Sequence, residues 1–431
     1  MKVSMRLASV KAKGYRTLGN VDWPISALNV LIGPNGTGKS NMLSFLALIA
    51  ESAKGNLERS VYSAGGMPAL LFDGNGDTIE ASLSMAGNEG SSDWLEYGFG
   101  MKRLGASSGY VIAYESEKDW YNRDKTDYAI HRIQREGHVF TADPDKPRIP
   151  ERVMAAVKEA ETSLSHPYLD DGILDVSILT TLQEAVMSWA VYSSVRTDPS
   201  SAIRQPGVAR RDETLDPDGE NLVAVLHTHY SSDLEFRDRI DNAMYADFGD
   251  SYQEISFPPG AEQQVQLAIR WSSLKRPAVA ATLSDGTLRF LCIITALSQP
   301  NLPALIAIDE PETGLHPTMM RIIAEYAADA ALRSQIIFTT HSAAFLDAFD
   351  REAPPQTTVV SMVDGKTVLK TVDSAVLARW LKEYSLGNLY RSRDLENMPA
   401  RGDVQPAGEV SALFCRARNR GLACYPARPI S

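Results

Sequence analysis

The segment Gly33–Ser40, GPNGTGKS, limits the possible folds of this chain more than any other stretch. It matches G-x-x-x-x-G-K-[ST] in full, and its flanks matter as much as its letters. ALNVLI before it is apolar and rich in branched residues, as a buried strand requires. SNMLSFLALIAESA after it has helical spacing. A strand, a glycine-rich turn and a helix in that order predict an α/β fold around an anion-binding loop. Gly33, Pro34, Asn35, Gly36, Thr37, Gly38, Lys39, Ser40 and Asn41 are expected to cradle the phosphates of ATP. The glycines let several N–H groups point inward, and the helix adds its positive end. Lys39 would reach the β- and γ-phosphates, and Ser40 would ligate Mg2+.

Three further phosphate-chemistry signals follow in order between Leu283 and Ser342. LSDGT (283–287) stands at the start of an apolar helical run. Ser284 can cap that helix, leaving the N–H groups around Asp285 and Gly286 available to an anion. ALIAIDEPE ends an apolar strand in adjacent acids: Asp309, placed to hold Mg2+, and Glu310, placed to polarise an attacking water. QIIFTTHS ends another apolar strand, with His341 at its tip, within reach of a γ-phosphate and with Thr339 and Thr340 placed to orient it. Between them, EPETGLHP reads as a turn stiffened by Pro311 and Pro317. Any one of these has an ordinary structural explanation; their order argues for a nucleotide site.

The chain's 431 residues exceed one typical core, so two lobes are expected. With 44% hydrophobic and 23% charged residues, apolar material suffices for both. Residues 1–120 are expected to hold the loop and an antiparallel meander, the short alternating runs lying between Gly65 and Tyr114. Residues 121–280 would form an inserted lobe of helices and strands, with a charged loop over Asp119–Pro150 and helices over 151–164 and 178–195. Segment 200–221 is turn-rich and reads as a linker. Residues 281–390 would complete the ATPase lobe, and 391–431 would be a poorly ordered tail. Three scattered cysteines give neither a disulfide framework nor a zinc site. No signal-like or membrane-spanning run is evident, so a soluble cytoplasmic protein with no membrane partner is expected. A net charge of −11 argues against a uniformly basic nucleic-acid surface. Local basic clusters (Lys11, Lys13, Arg16; Arg204, Arg210, Arg211; Arg391, Arg393) leave DNA open as a partner.

Together these motifs resemble the RecF/SMC/OLD-like branch of ABC-type ATPases. VKAKGYRTL is similar to the N-terminal F-R-S/T-L signature, with Tyr15 for Phe, and LDPDGENLVAVL and WLKEYSLGNLY look like further blocks of stand-alone members. LSDGT departs from the transporter form LSGGQ at Asp285 and Thr287, which disfavours a transporter-coupling ATPase. The resemblance implies a P-loop NTPase head, with mixed sheet, antiparallel meander and helical lobe, that forms a homodimer around two ATP. Ser284, Asp285 and Gly286 would then serve the nucleotide of the partner copy, Glu312, Gly314 and His316 would border the dimer seam, and Arg16 would lie near the nucleotide. It also implies a role in DNA repair or antiviral defence, with a separate effector chain such as a TOPRIM-like nuclease. No sustained heptads occur between the phosphate loop and LSDGT, and no Asp-x-Asp follows a strand in the manner of a TOPRIM nuclease. An ATP-locked scaffold with incidental hydrolysis is the alternative.

Overall fold

The computed structural model describes residues 5–74, 76–87, 93–105, 107–121, 129–136, 139–141, 159–165, 177–260 and 264–403. β1 (Arg6–Tyr15) and β2 (Leu18–Pro24) form a hairpin whose turn places Arg16 at φ 47°. β3 (Leu28–Ile32) then leaves for a different sheet and runs into the glycine loop and α1 (Lys39–Ala53). After α2 (Leu57–Ser63) and α3 (Met67–Leu70) the chain returns to the hairpin through β4 (Thr78–Ala86), β5 (Asp93–Arg103), β6 (Tyr110–Tyr121), β7 (Ala129–Glu136) and β8 (Val139–Thr141). These build a seven-stranded antiparallel sheet in the order β2-β1-β4-β5-β6-β7-β8.

The meander is therefore longer than the sequence suggests. Most of the loop expected over Asp119–Pro150 that is described is strand, and the boundary expected at residue 120 falls inside this sheet. Charged residues suit outer strands, and ladder pairing satisfies the backbone whatever the side chains carry. β2 is not apparent as a strand from the sequence: Leu18, Val21 and Trp23 are buried, but Gly19 and Asn20 interrupt their alternation.

α4 (Ser177–Met187) leads into β9 (Ala190–Tyr192), where a continuous helix over 178–195 was expected. Ala-Val-Tyr is too short an apolar run for periodicity to separate helix from strand, and pairing at a sheet edge decides it. The expected helix over 151–164 lies mostly outside the described residues. A helical layer follows, of α5 (Leu222–Ser232) and α6 (Leu234–Phe248). Around it, β10 (Gly207–Val208) pairs with β12 (Gln264–Val265), and β11 (Tyr252–Ser256), β13 (Ala268–Trp271) and β14 (Ala278–Val279) make a three-stranded sheet.

The motif region alternates: α7 (Asp285–Ser298), β15 (Leu305–Asp309), α8 (Pro317–Ala330), β16 (Gln335–Thr340), α9 (Ala343–Leu346), then the hairpin β17 (Gln356–Val363) and β18 (Lys366–Thr371). These strands join β3 and β9 in the order β18-β17-β3-β16-β15-β9, parallel except for the β17/β18 hairpin. Both faces of the sheet are covered. Val30, Ile32, Ile306, Ile308, Ile336 and Phe338 pack into one core, while Leu31, Leu305, Ala307, Ile337 and Val360 pack into the other. Alternation along each strand thus feeds two apolar layers, which is why these segments read as unbroken hydrophobic runs.

Residues 391–403, expected to belong to a poorly ordered tail, are folded onto the core. After α10 (Ser374–Trp380) and α11 (Leu386–Arg391), α12 (Asp394–Asn397) anchors Leu395 and Met398 in the core, and Ala400 bridges to Val372. Residues 404–431, most of the expected disordered tail, lie outside the described residues. No helix among the described residues is long and apolar enough to cross a membrane.

Candidate active site

β3, β15, β16 and β9 run parallel, so their C-terminal tips share one edge, where ligands of open α/β sheets bind. The glycine loop fills the tip of β3. Gly36 and Gly38 take φ values of 82° and 100°, which turn the backbone so that the loop can wrap an anion. Gly38 is also hemmed in: a Cβ there would lie 2.0 Å from the Thr367 hydroxyl and 2.8 Å from that of Thr17. Those two hydroxyls bond each other at 2.7 Å. Thr367 donates to the Thr37 carbonyl (2.9 Å), and the Asn41 amide donates to Thr17 (2.8 Å). The turn of the first hairpin and the β17/β18 hairpin thus grip the loop from both sides. Arg16 reaches the first two turns of α1, bonding Ser44 at 3.2 Å and Asn41 at 3.4 Å.

Lys39 is only 4% exposed. Its ammonium donates to the carbonyls of Gly33 (2.8 Å) and Pro34 (3.0 Å) and lies 4.0 Å from Glu310. Burial lowers its pKa, and the carboxylates of Glu310, Asp309 and Glu312 oppose that shift.

The acids are held by the neighbouring strand tip. Thr339 donates its hydroxyl to Asp309 and accepts from the Glu310 N–H at 3.2 Å, while its carbonyl takes the same N–H at 3.1 Å. Glu310 sits at φ 44°, a left-handed conformation unusual for a side-chain-bearing residue and found preferentially at functional sites. Its carboxylate pairs with His341 Nδ1 at 2.9 Å. Glu312 is buried (7% exposed) and accepts from the Thr340 hydroxyl at 2.5 Å and the His341 N–H at 3.4 Å, but its Oε2 has no hydrogen-bond partner among the described residues. Thr339 and Thr340 therefore orient acids; His341 itself is set by Glu310 and by its own backbone.

A cleft of about 440 Å3 joins Asn35, Gly36, Gly38, Lys39, Ser40 and Asn41 to Asp309 and Glu310. It is within the range of small-molecule sites. Ser193 after β9, Arg289 from α7 and Thr313 complete its wall. None of these three was singled out from the sequence; Ser193 could have been found only by recognising β9 as a strand of the same sheet. Arg289 Nη1 bonds the Thr313 carbonyl at 2.9 Å.

Ser284, Asp285 and Gly286 do not line this cleft. Ser284 caps α7, accepting from the Thr287 N–H at 3.1 Å as the sequence suggests. Gly286 packs on the EPETGLHP turn: a Cβ would fall 2.8 Å from the Gly314 carbonyl. His316 caps α8 through Thr318. The basic clusters are largely neutralised, by Lys11–Asp22, Lys13–Glu80, Arg204–Asp285, Arg210–Asp212, Arg211–Glu213 and Arg391–Asp347 pairs.

Among the described residues no group of three or more His, Cys, Asp and Glu could cage a metal. A hydroxyl and one carboxylate, Ser40 and Asp309, on the same cleft suit Mg2+, which keeps waters and leans on phosphate oxygens.

A family profile described as "AAA domain, putative AbiEii toxin, Type IV TA system" matches residues 28–347. No curated protein matches the chain in sequence. Among solved structures, an Smc head domain with an extended coiled coil bound to the C-terminal domain of ScpA, from Pyrococcus furiosus, superposes with a TM-score of 0.52 at 11% identity, over 88% of this chain and 99% of that one. The SmcHead bound to the C-winged helix domain of ScpA gives 0.49 at 13% identity, over 86% and 99%. The SMC head domain from Thermotoga maritima gives 0.43 at 13%, over 85% and 99%.

Proposed function

The chain belongs to this AAA-domain family and has the fold of an ABC/SMC-like P-loop ATPase head, and from that premise we propose that it is an ATP-hydrolysing switch whose output is ATP-dependent dimerisation. One observation carries the proposal: the cleft gathers the glycine loop, Asp309 and Glu310 from one chain, while LSDGT stands outside it. A second copy, offering its own Ser284 and Gly286, would complete each site.

Within one copy, the loop N–H groups and Lys39 bind the triphosphate, and Lys39 exchanges its bonds to Gly33 and Pro34 for phosphate oxygens. Ser40 and Asp309 would hold Mg2+, which supplies neutralisation of charge on the β- and γ-phosphate oxygens. Thr339 keeps Asp309 turned to that task. Glu310 accepts a proton from the attacking water, and His341 at 2.9 Å fixes the carboxylate and reaches toward the γ-phosphate.

A partner protein is the better candidate for what the dimer governs. Six of the eight residues in the basic clusters (Lys11, Lys13, Arg204, Arg210, Arg211 and Arg391) pair with acids, which weakens those clusters as a site for a DNA backbone. The family's description as a toxin of a toxin–antitoxin system fits control of an effector, such as a TOPRIM-like nuclease in phage defence, better than DNA maintenance. Glu310→Gln should abolish turnover and accumulate an ATP-bound dimer visible by light scattering. Undiminished turnover, or a variant that stays monomeric with ATP and Mg2+, would sink the proposal. Salt-sensitive stimulation of the ATPase by DNA would overturn the preference for a protein partner.

A further inference from the structure

Asp285 poses a problem for a phosphate-binding role of LSDGT. It lies in the first turn of α7 and is 72% exposed, on the end of the helix where a phosphate would dock. A carboxylate there offsets the helix's positive end and repels an anion. The chain answers with Arg204, which comes from the segment that the sequence presents as a linker. Arg204 is 9% exposed, and its Nη2 lies 2.6 Å from Asp285 Oδ1. The rest of the guanidinium is committed to backbone: Nε donates to the Thr197 carbonyl (2.7 Å), and Nη1 to Ala280 (3.0 Å), Ala281 (3.4 Å) and Leu283 (2.7 Å). A fork held by four carbonyls cannot swing away, so its charge stays beside Asp285.

We propose that Arg204 is the positioning residue that makes LSDGT receptive to phosphate: it neutralises Asp285 and fixes the loop that carries Ser284 and Gly286. The inference rests on the dimer proposed above, in which LSDGT meets the nucleotide of the second copy. Arg204 does not line the cleft of its own chain, so it acts on dimer formation and leaves nucleotide binding by the monomer alone.

The test uses the full chain carrying Glu310→Gln, with dimerisation followed by light scattering in ATP and Mg2+ and monomer binding followed with a fluorescent ATP analogue. Adding Arg204→Met should weaken the dimer about tenfold or more, as expected for an unpaired interfacial charge. Adding Asp285→Asn to that variant should recover most of the loss, because the charge that Arg204 answered is gone. Monomer nucleotide affinity should stay within about twofold throughout, a benchmark of intact folding. Undiminished dimerisation in Arg204→Met overturns the proposal, and so does a loss that Asp285→Asn leaves untouched, which would mean Arg204 only holds carbonyls. Should Arg204→Met not fold, Asp285→Asn alone decides: on this exposed side chain it should leave the dimer as tight or tighter, and a weaker dimer refutes the charge argument. If the Glu310→Gln parent stays monomeric, the dimer itself fails and the role of Arg204 falls with it.

Discussion

Gly38→Ala tests how the phosphate loop is held. Gly38 sits at φ 100°, where an alanine costs about 1–2 kcal/mol. The new methyl would lie 2.0 Å from the Thr367 hydroxyl, far inside van der Waals contact. The threonine must turn away, surrendering its bonds to the Thr37 carbonyl and to Thr17, each contributing roughly 1 kcal/mol. The sum is about 3 kcal/mol against the loop's native shape, or on the order of a hundredfold in the fraction of molecules able to bind. Apparent affinity falls by that fraction. Titration with a fluorescent ATP analogue, on protein whose circular dichroism matches the parent, should therefore show a dissociation constant raised about a hundredfold. Thr367→Ala sharpens the test. Alone it loses the same two bonds; combined with Gly38→Ala it removes the nearest obstruction, so the double variant should bind better than the product of the single losses. Binding by Gly38→Ala within about threefold of the parent would refute the hydroxyl lock.

Glu312 gives a pH prediction of definite sign. Burial raises its carboxyl pKa above the ordinary 4.5, opposed by the bonds from Thr340 and from the His341 backbone, with Lys39, His341 and Tyr390 among the ionisable groups that act on it or feel its charge. The folded state therefore holds the proton more tightly than the unfolded state, and this residue's contribution to stability falls as pH rises above 4.5 through the folded value. Glu312→Gln keeps an acceptor for Thr340 and has no proton to lose, so its Tm relative to the parent should grow from pH 4 to pH 8; a difference that shrinks over that range contradicts the assignment. Thr339→Val removes the hydroxyl that orients Asp309 while conserving shape, and it should reduce kcat about tenfold or more in Mg2+ yet leave Mg2+-free nucleotide binding intact. Equal loss with and without Mg2+ would mean that Thr339 serves only packing.

What the sequence discloses here, and what it hides, follows from sheet topology. The loop at 33–40, the acids at 309–310 and His341 were legible because each directly ends an apolar strand, and a strand's end is a local signal. Ser284 was legible for the same kind of reason, as a cap immediately before a helical run. Parallel strands then do the assembly, since β3, β16 and β15 are neighbours and their tips must converge. Thr17 and Thr367 belong to no such pattern. They meet across 350 residues because one turns the first hairpin and the other opens β18, and nothing in the spacing of either announces the partner. Tyr15–Leu18 drew notice only through family likeness, which pointed to Arg16 and not to the hydroxyl beside it. Arg204 was hidden more deeply: polar, turn-rich surroundings are the signature of a linker, and only the fold shows that this one curls its arginine under LSDGT. The residues proposed here for the chemistry are readable from the sequence, and those that hold them are not. The distinction is physical, because a reacting group must stand at the end of a rigid element, whereas a supporting group need only lie near it in space.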